Sequence, residues 1–146
     1  MGRPTLISLG YEGRSVGDLV DDLLRQSVAI LVDVRLTPLS RKPGMSKRKL
    51  AAALAEAGID YVHLPALGNP KDNREPFRAG DPASRRRFRA RLRDETASQA
   101  LEHIAELLEG GAVAVLCFER SHDHCHRHLV AEAVLQARPS VEVVAI

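Results

Sequence analysis

The chain has 146 residues, of which 45% are hydrophobic, and its formal net charge is +2. This length predicts one α/β domain over residues 1–146, and the hydrophobic content excludes general disorder. The small net charge does not require a polyanionic partner, and an aromatic content of 3% leaves few platforms on which nucleic-acid bases could stack.

The sequence shows neither a membrane-spanning pattern nor a leader pattern. Its apolar runs are far shorter than the roughly 20 residues that a membrane helix needs. Residues 7–9 run directly into Gly10-Tyr11-Glu12, which is not the pattern of a signal peptide. Two cysteines do not make a disulfide framework. We therefore expect a cytoplasmic protein without a membrane partner, whose cysteines remain thiols.

Short apolar runs alternate along the chain with amphipathic patterns of helical period. The apolar runs predict strands at residues 5–9, 29–34, 59–64, 112–118 and 141–146. The helical patterns predict one helix capped by Ser15, one capped by Ser46, one over residues 83–109 that breaks near Asp94, and one over residues 124–137. Residues 65–82 are predicted to form a long loop that acts as a lid or flap.

This alternation predicts a doubly wound α/β fold, in which a mostly parallel sheet of about five strands carries helices on both faces. The loops that follow the first four predicted strands are polar, whereas the returning loops are short. In an open parallel sheet the loops after the strands meet at the carboxyl rim, where ligands bind. We therefore expect the functional site at that rim.

The loop after the first strand is Gly10-Tyr11-Glu12-Gly13. It lacks the third glycine of a dinucleotide-binding fingerprint. Tyr11 and Glu12 are candidates to contact a sugar or a base. The alternative is a glycine turn with exposed side chains.

The loop after the second strand combines acidic and basic residues. Asp33 and Arg35, two positions apart, point to the same face. An internal salt bridge between them is one interpretation. However, Arg41 adds positive charge that Asp33 cannot neutralise alone, and arginine suits phosphate or carboxylate recognition. We therefore predict that Arg35, Ser40 and Arg41 bind an anionic substrate, with Asp33 orienting Arg35.

The loop after the fourth strand, residues 117–127, is the richest in reactive side chains. If the last helix starts near residue 123, Cys125 and His126 fall in its first turn and face inward. A helix N-terminus lowers the pKa of a thiol and favours bound anions. We predict Glu119 as an acid/base or nucleophile, Cys125 as a nucleophile, His126 as a proton carrier or orienting group, and Arg127 as an anion ligand.

The residues of this loop also suggest two other types of site. A cysteine phosphatase needs an arginine six positions after its cysteine, and residues 123 and 131 are Asp and Ala. A zinc site would draw on Cys117, Cys125, His122, His124, His126 and His128. These residues do not form the C-x-x-C pairs of structural zinc sites, so no metal ligand and no cofactor is assigned. A thiol or metal protein centred on Cys117 and Cys125 stays open as an alternative.

A basic run occupies residues 85–93. Phe88 and Leu92 have helical spacing and should face inward, which leaves the arginines on a solvated face. Contact with nucleic acid through these arginines is the other interpretation. It supports a second alternative function, a non-catalytic module that binds nucleic acid or a phosphorylated ligand.

Four motifs together resemble the domain of unknown function 488 family. They are G-Y-E-G at residues 10–13, D-V-R-x-x-P-x-S-R at 33–41, L-G at 67–68, and C-x-E at 117–119 followed by C-H-R at 125–127. The resemblance implies a small bacterial or archaeal α/β protein of unassigned biochemistry. The histidine-rich segment 120–124 departs from the family, in which a proline is common there.

The residues support one leading hypothesis, a hydrolytic enzyme that acts on a nucleotide or a nucleic-acid-derived anion. It would cleave an N-glycosidic bond or a phosphoester. Glu119 would supply the acid/base group, and Arg35, Arg41 and Arg127 would hold the anion.

Overall fold

A computed structural model of the chain describes residues 3–146. The strands are β1 (Thr5–Gly10), β2 (Val28–Asp33), β3 (Asp60–His63), β4 (Ala112–Cys117) and β5 (Glu142–Ala145). The helices are α1 (Val16–Arg25), α2 (Lys47–Glu56), α3 (Arg74–Arg78), α4 (Pro82–Leu92), α5 (Glu95–Leu108) and α6 (Arg127–Ala137). The predicted break in the third helical pattern is confirmed at the junction of α4 and α5.

The five strands form one sheet in the order β3-β2-β4-β1-β5. Every pair of neighbouring strands in it is parallel. The predicted α/β fold is therefore confirmed, and this sheet is wholly parallel where the sequence predicted a mostly parallel one.

Helices cover both faces of the sheet. On one face, Leu19 of α1 and Leu50 of α2 belong to the same buried cluster as alternate strand residues. On the other face, Phe88 of α4 and Leu129 of α6 pack in a second cluster with Val115 of β4. Burial on both faces explains why the strands are continuously apolar. Among residues 3–146, no helix combines the length and the apolarity needed to cross a bilayer.

The two predicted serine caps differ in what their side chains do. Ser15 caps α1 as predicted, because its Oγ accepts from the Asp18 N–H at 3.0 Å while Asp18 accepts from the Ser15 N–H at 3.1 Å. Ser46 occupies the N-cap position of α2 but makes no side-chain cap hydrogen bond. Its hydroxyl accepts from the Ser40 N–H at 3.0 Å and donates to the Ser40 carbonyl at 3.2 Å. Ser46 therefore closes the loop after β2.

The segment predicted as a long loop, residues 65–82, is folded. It forms 3-10 turns at Pro65–Leu67 and Lys71–Asn73, followed by α3. The buried Asn73 donates to the Asn69 side chain at 2.9 Å and accepts from the Ser84 hydroxyl at 2.8 Å. Polar residues make these contacts, so the periodic pattern of hydrophobic residues did not predict them.

The start of the last helix was also predicted wrongly. His122–His124 forms a 3-10 turn, Cys125 is extended, and α6 begins at Arg127. Cys125 and His126 therefore precede the helix, and neither lies in its first turn. The extended backbone of Cys125 prevents an earlier start of the helix, and His126, its N-cap residue, donates from Nε2 to the Val34 carbonyl at 2.8 Å.

The connections place a crevice at the carboxyl rim. The neighbouring strands β2 and β4 lead into α2 and α6, which pack on opposite faces of the sheet. The chain therefore diverges after these two strands, and a ligand site is expected where it does.

Gly10, at the end of β1, offers a test of how tightly the rim is packed. A Cβ at Gly10 would lie 1.8 Å from the Glu119 carbonyl oxygen, whereas a Cβ at Gly17 in α1 would meet its nearest atom at 3.8 Å. We expect Gly10→Ala to lower the free energy of unfolding by about 1–3 kcal/mol through overpacking. Gly17→Ala, the matched control, should raise it by about 0.5–1 kcal/mol. Urea unfolding followed by circular dichroism measures both, and equal effects would contradict the packing argument.

Candidate functional site

A cavity of about 200 Å³ opens at the carboxyl rim. Its wall comes from the segments that follow the first four strands. The residues that line it are Tyr11, Arg35, Leu36, Thr37, Leu39, Asn69, Arg74, Arg78, Cys117, Phe118, Glu119 and His126. The cavity lies where the sequence placed the site.

Asp33 and Arg35 form a buried ion pair beneath this cavity. Arg35 Nη2 lies 2.7 Å from Asp33 Oδ2, and Arg35 Nη1 donates to the Met45 carbonyl at 2.7 Å. Tyr61 donates its hydroxyl hydrogen to the same carboxylate at 2.5 Å. Burial and the contact with Asp33 raise the pKa of Tyr61. The internal salt bridge is thus formed, and Arg35 also reaches the cavity wall, with its guanidinium 5.3 Å from the centre of the Tyr11 ring.

Glu119 lies on the cavity wall with its side chain 14% exposed, and Arg78 Nε is 3.7 Å from its Oε1. Burial, and then the negative charge of Cys117, raise the pKa of Glu119. Arg74 also lines the cavity, and its Nε donates to the Asn69 carbonyl at 3.2 Å. Arg74 and Arg78 are not among the residues predicted from the sequence, because both lie in the segment that was predicted to be a loop. The concentration of charged residues in that segment is the feature of the sequence that could have indicated these two arginines.

Two sulfur atoms and one imidazole ring meet behind Glu119. His126 Nδ1 lies 3.6 Å from the Sγ of Cys117 and 3.6 Å from the Sγ of Cys125. His126 Nε2 must donate to the Val34 carbonyl at 2.8 Å, since a carbonyl can only accept. Nδ1 is therefore the nitrogen that faces the sulfurs. Burial opposes protonation of this ring, but the charge and hydrogen bond of Cys117, the hydrogen bond to Val34 and the charge of Glu119 together raise the pKa of His126.

Arg127 is a buried cation next to this group. It is fully buried, its Nη2 donates to the Glu119 carbonyl at 2.7 Å, and its Nε and Nη1 have no hydrogen-bond partner in the described chain. The hydrogen bond from Cys125 and the charges of His126 and Arg127 hold the pKa of Cys117 well below that of a free thiol, although burial opposes this. Burial and the neighbouring Cys117 raise the pKa of Cys125.

The structure brings together only part of the predicted site. The predicted residues on the cavity wall are Tyr11, Arg35, Glu119 and His126. The predicted residues outside the lining are Glu12, Asp33, Ser40, Arg41, Cys125 and Arg127. Ser40 bonds to Ser46, Arg41 is exposed, and Glu12 accepts from the Arg120 N–H at 3.0 Å. Cys125 is 1% exposed and lies behind Cys117, so the sulfur that faces the cavity is Cys117.

The arginines of the basic run on α4 contact other parts of the chain. Arg87 forms an ion pair with Asp72 at 3.1 Å, and Arg91 donates to the Gly68 carbonyl at 2.8 Å. Arg85 donates to the Asp123 carbonyl at 2.9 Å. These contacts tie α4 to the segments that follow β3 and β4, which build the cavity wall.

The fold and the cavity define a class of doubly wound α/β protein with a cysteine–histidine group and an acid–arginine cavity at the carboxyl rim. A family model described as Domain of unknown function DUF488 matches residues 15–134. The chain belongs to this family, and the resemblance seen in its motifs is confirmed. Comparison with curated proteins and with solved structures gave no match.

The buried pair under the cavity generates a stability prediction. Asp33→Ala would leave the guanidinium of Arg35, which is 5% exposed, without its carboxylate. We expect a loss of about 3–5 kcal/mol in the free energy of unfolding. Tyr61→Phe, the matched control, removes one hydrogen bond from the same carboxylate and should cost about 1.5–3 kcal/mol. Urea unfolding measures both; an Asp33→Ala cost no larger than that of Tyr61→Phe would show that the pair does not stabilise the rim.

Proposed function

We propose that the chain is a hydrolase that acts on a small anionic substrate of the nucleotide type in the rim cavity. The observation that supports this proposal is the charge of the wall. Among the described residues that line the cavity, Glu119 is the one carboxylate, whereas Arg35, Arg74 and Arg78 are cations.

The excess of positive charge favours an anion. Asp33 compensates Arg35 at 2.7 Å, and Glu119 lies 3.7 Å from Arg78. The hydrogen bond of Arg74 goes to a neutral carbonyl, that of Asn69. A phosphate or carboxylate placed between Arg74 and Arg78 would compensate the remaining charge, and guanidinium groups suit such anions because they can donate two parallel hydrogen bonds.

The size of the cavity limits the substrate. Its volume of about 200 Å³ is smaller than the ~300–1,000 Å³ of sites for drug-sized ligands. It therefore suits a sugar phosphate, or the reacting end of a nucleotide whose remainder lies over the open rim. Tyr11 and the partly exposed Phe118 pack edge to face at 5.3 Å beside the cavity and offer an apolar wall to a sugar or a base.

Glu119 is the proposed acid/base group, because it is the carboxylate among the described residues of the cavity wall. In the proposed reaction, a water oxygen attacks the electrophilic carbon or phosphorus, and Glu119 accepts the proton that the water loses. The bond to the leaving group breaks with its electron pair, and Glu119 returns the proton to the leaving group. The bond is an N-glycosidic bond or a phosphoester, and the released product distinguishes the two.

A ligand screen tests the substrate class. The protein is heated with ribose 5-phosphate, nucleoside monophosphates, the matched uncharged nucleosides and short oligonucleotides, and release of free base and of inorganic phosphate is assayed in parallel. Phosphorylated compounds should raise the melting temperature by mass action, and the nucleosides should not. Equal shifts with nucleosides and phosphates would sink the anionic-substrate proposal. A shift with oligonucleotides alone that falls steeply with salt would support a nucleic-acid-binding module instead.

Variants separate binding from turnover. Glu119→Gln should lower kcat by about 10²–10⁴-fold while the melting shift persists, because proton transfer is lost and the arginines remain. Arg74→Met combined with Arg78→Met should abolish the shift. Arg86→Met, which changes an exposed arginine of α4 outside the cavity lining, is the matched control and should leave both readouts unchanged. Full turnover by Glu119→Gln would refute the proposal.

A further inference from the structure

Three buried side chains have the spacing of ligands around one metal ion. The Sγ atoms of Cys117 and Cys125 and a ring nitrogen of His126 all lie within 4.8 Å of one another. Both sulfur–nitrogen distances are 3.6 Å. Tetrahedral zinc, with Zn–S of about 2.3 Å and Zn–N of about 2.0–2.1 Å, places a bound sulfur and a bound nitrogen about 3.6 Å apart. The side chains therefore need little movement to bind such an ion.

We propose that Cys117, Cys125 and His126 bind a tetrahedral Zn²⁺ ion whose fourth coordination position opens into the cavity. Two thiolates and one imidazole form a ligand set found in catalytic zinc sites, which keep one position for water or substrate. Thiolate ligands favour zinc over magnesium, calcium and manganese.

The surroundings of His126 match those of a metal-binding histidine. Such a histidine almost always donates its other ring N–H to a carboxylate, a carbonyl or water, which fixes the ring and its tautomer. Here Nε2 donates to the Val34 carbonyl at 2.8 Å, and Nδ1 is directed at the two sulfurs. The Phe88 ring also packs edge to face against the His126 imidazole, with 5.2 Å between the ring centroids.

The charges of a bound Zn²⁺ ion and of its cysteine ligands balance each other. The two charges of Zn²⁺ match the two thiolates of Cys117 and Cys125. A neutral buried group avoids the cost of an uncompensated charge in the interior.

The fourth position is next to the proposed acid/base residue. Cys117, His126 and Glu119 line the cavity, whereas Cys125 does not. Glu119 Oε2 approaches Cys117 Sγ at 3.5 Å. A water molecule in the open position would be within reach of Glu119, and zinc lowers the pKa of the water it binds. The zinc proposal can be tested separately from the proposed hydrolase activity, because metal content is measured without a substrate.

Metal analysis of the full chain tests the site. The protein is expressed in medium that contains zinc and is purified with a reductant and without a chelator. Its metal content is then measured by mass spectrometry. We expect stoichiometric zinc, and cobalt substitution should give tetrahedral visible bands with thiolate-to-cobalt charge transfer. Cys117→Ser, Cys125→Ser and His126→Ala should each weaken zinc binding by at least ~100-fold, the upper range for loss of an outer-shell partner.

His128→Ala is the matched control, since His128 belongs to a second group of possible ligands with His122 and Asp123. It should retain zinc. Zinc lost from His128→Ala and kept by the cysteine variants would overturn the proposal. So would reduced wild-type protein that takes up neither zinc nor cobalt.

A measurement on the wild type covers the case in which a variant fails to fold. Zinc should protect Cys117 and Cys125 from iodoacetamide, and a chelator should expose both to labelling, as read by peptide mass spectrometry. Equal labelling rates with zinc and with chelator would overturn the assignment.

Discussion

The hydrogen bond from His126 to the Val34 carbonyl determines the arrangement of the whole site. It joins the end of β2 to the residue that precedes α6, across the crevice at which the chain diverges. Because Nε2 is committed to that carbonyl, Nδ1 faces the sulfurs of Cys117 and Cys125. His126 is the N-cap residue of α6, and Arg127, the first residue of the helix, is fully buried.

The charged residues of the rim divide into those that hold the loops and those that face the cavity. Asp33, Arg35 and Tyr61 satisfy one another in the interior, and Arg127 supports the Glu119 carbonyl from below. Arg74 and Arg78 face the cavity with fewer constraints. Buried charges must be paired and hydrogen-bonded, whereas a site for an anion needs positive charge that the protein itself does not compensate. This division explains why most of the positive charge in the rim loops is not available to a substrate.

The sequence identified the segments of the site better than its side chains. Glu119 and Tyr11 line the cavity, since each lies within two residues of the end of a buried strand. Arg41, predicted to bind an anion, is exposed and lies outside the cavity lining. Arg78 was missed because polar contacts of Asn73, which no periodic pattern indicates, build the helix that carries it.

The sequence by itself determined the α/β class, the strand positions and the family, because apolar period and loop motifs are local properties of the chain. It also located the site at the carboxyl rim, since parallel strands must end together. Only the tertiary structure decided that Cys117 faces the cavity while Cys125 lies behind it. It also decided that a cysteine at the end of β4 and a cysteine–histidine pair before α6 meet at 3.6 Å. That meeting depends on strand order and on a contact between residues 34 and 126, which are distant in the chain, and no spacing along the sequence encodes it.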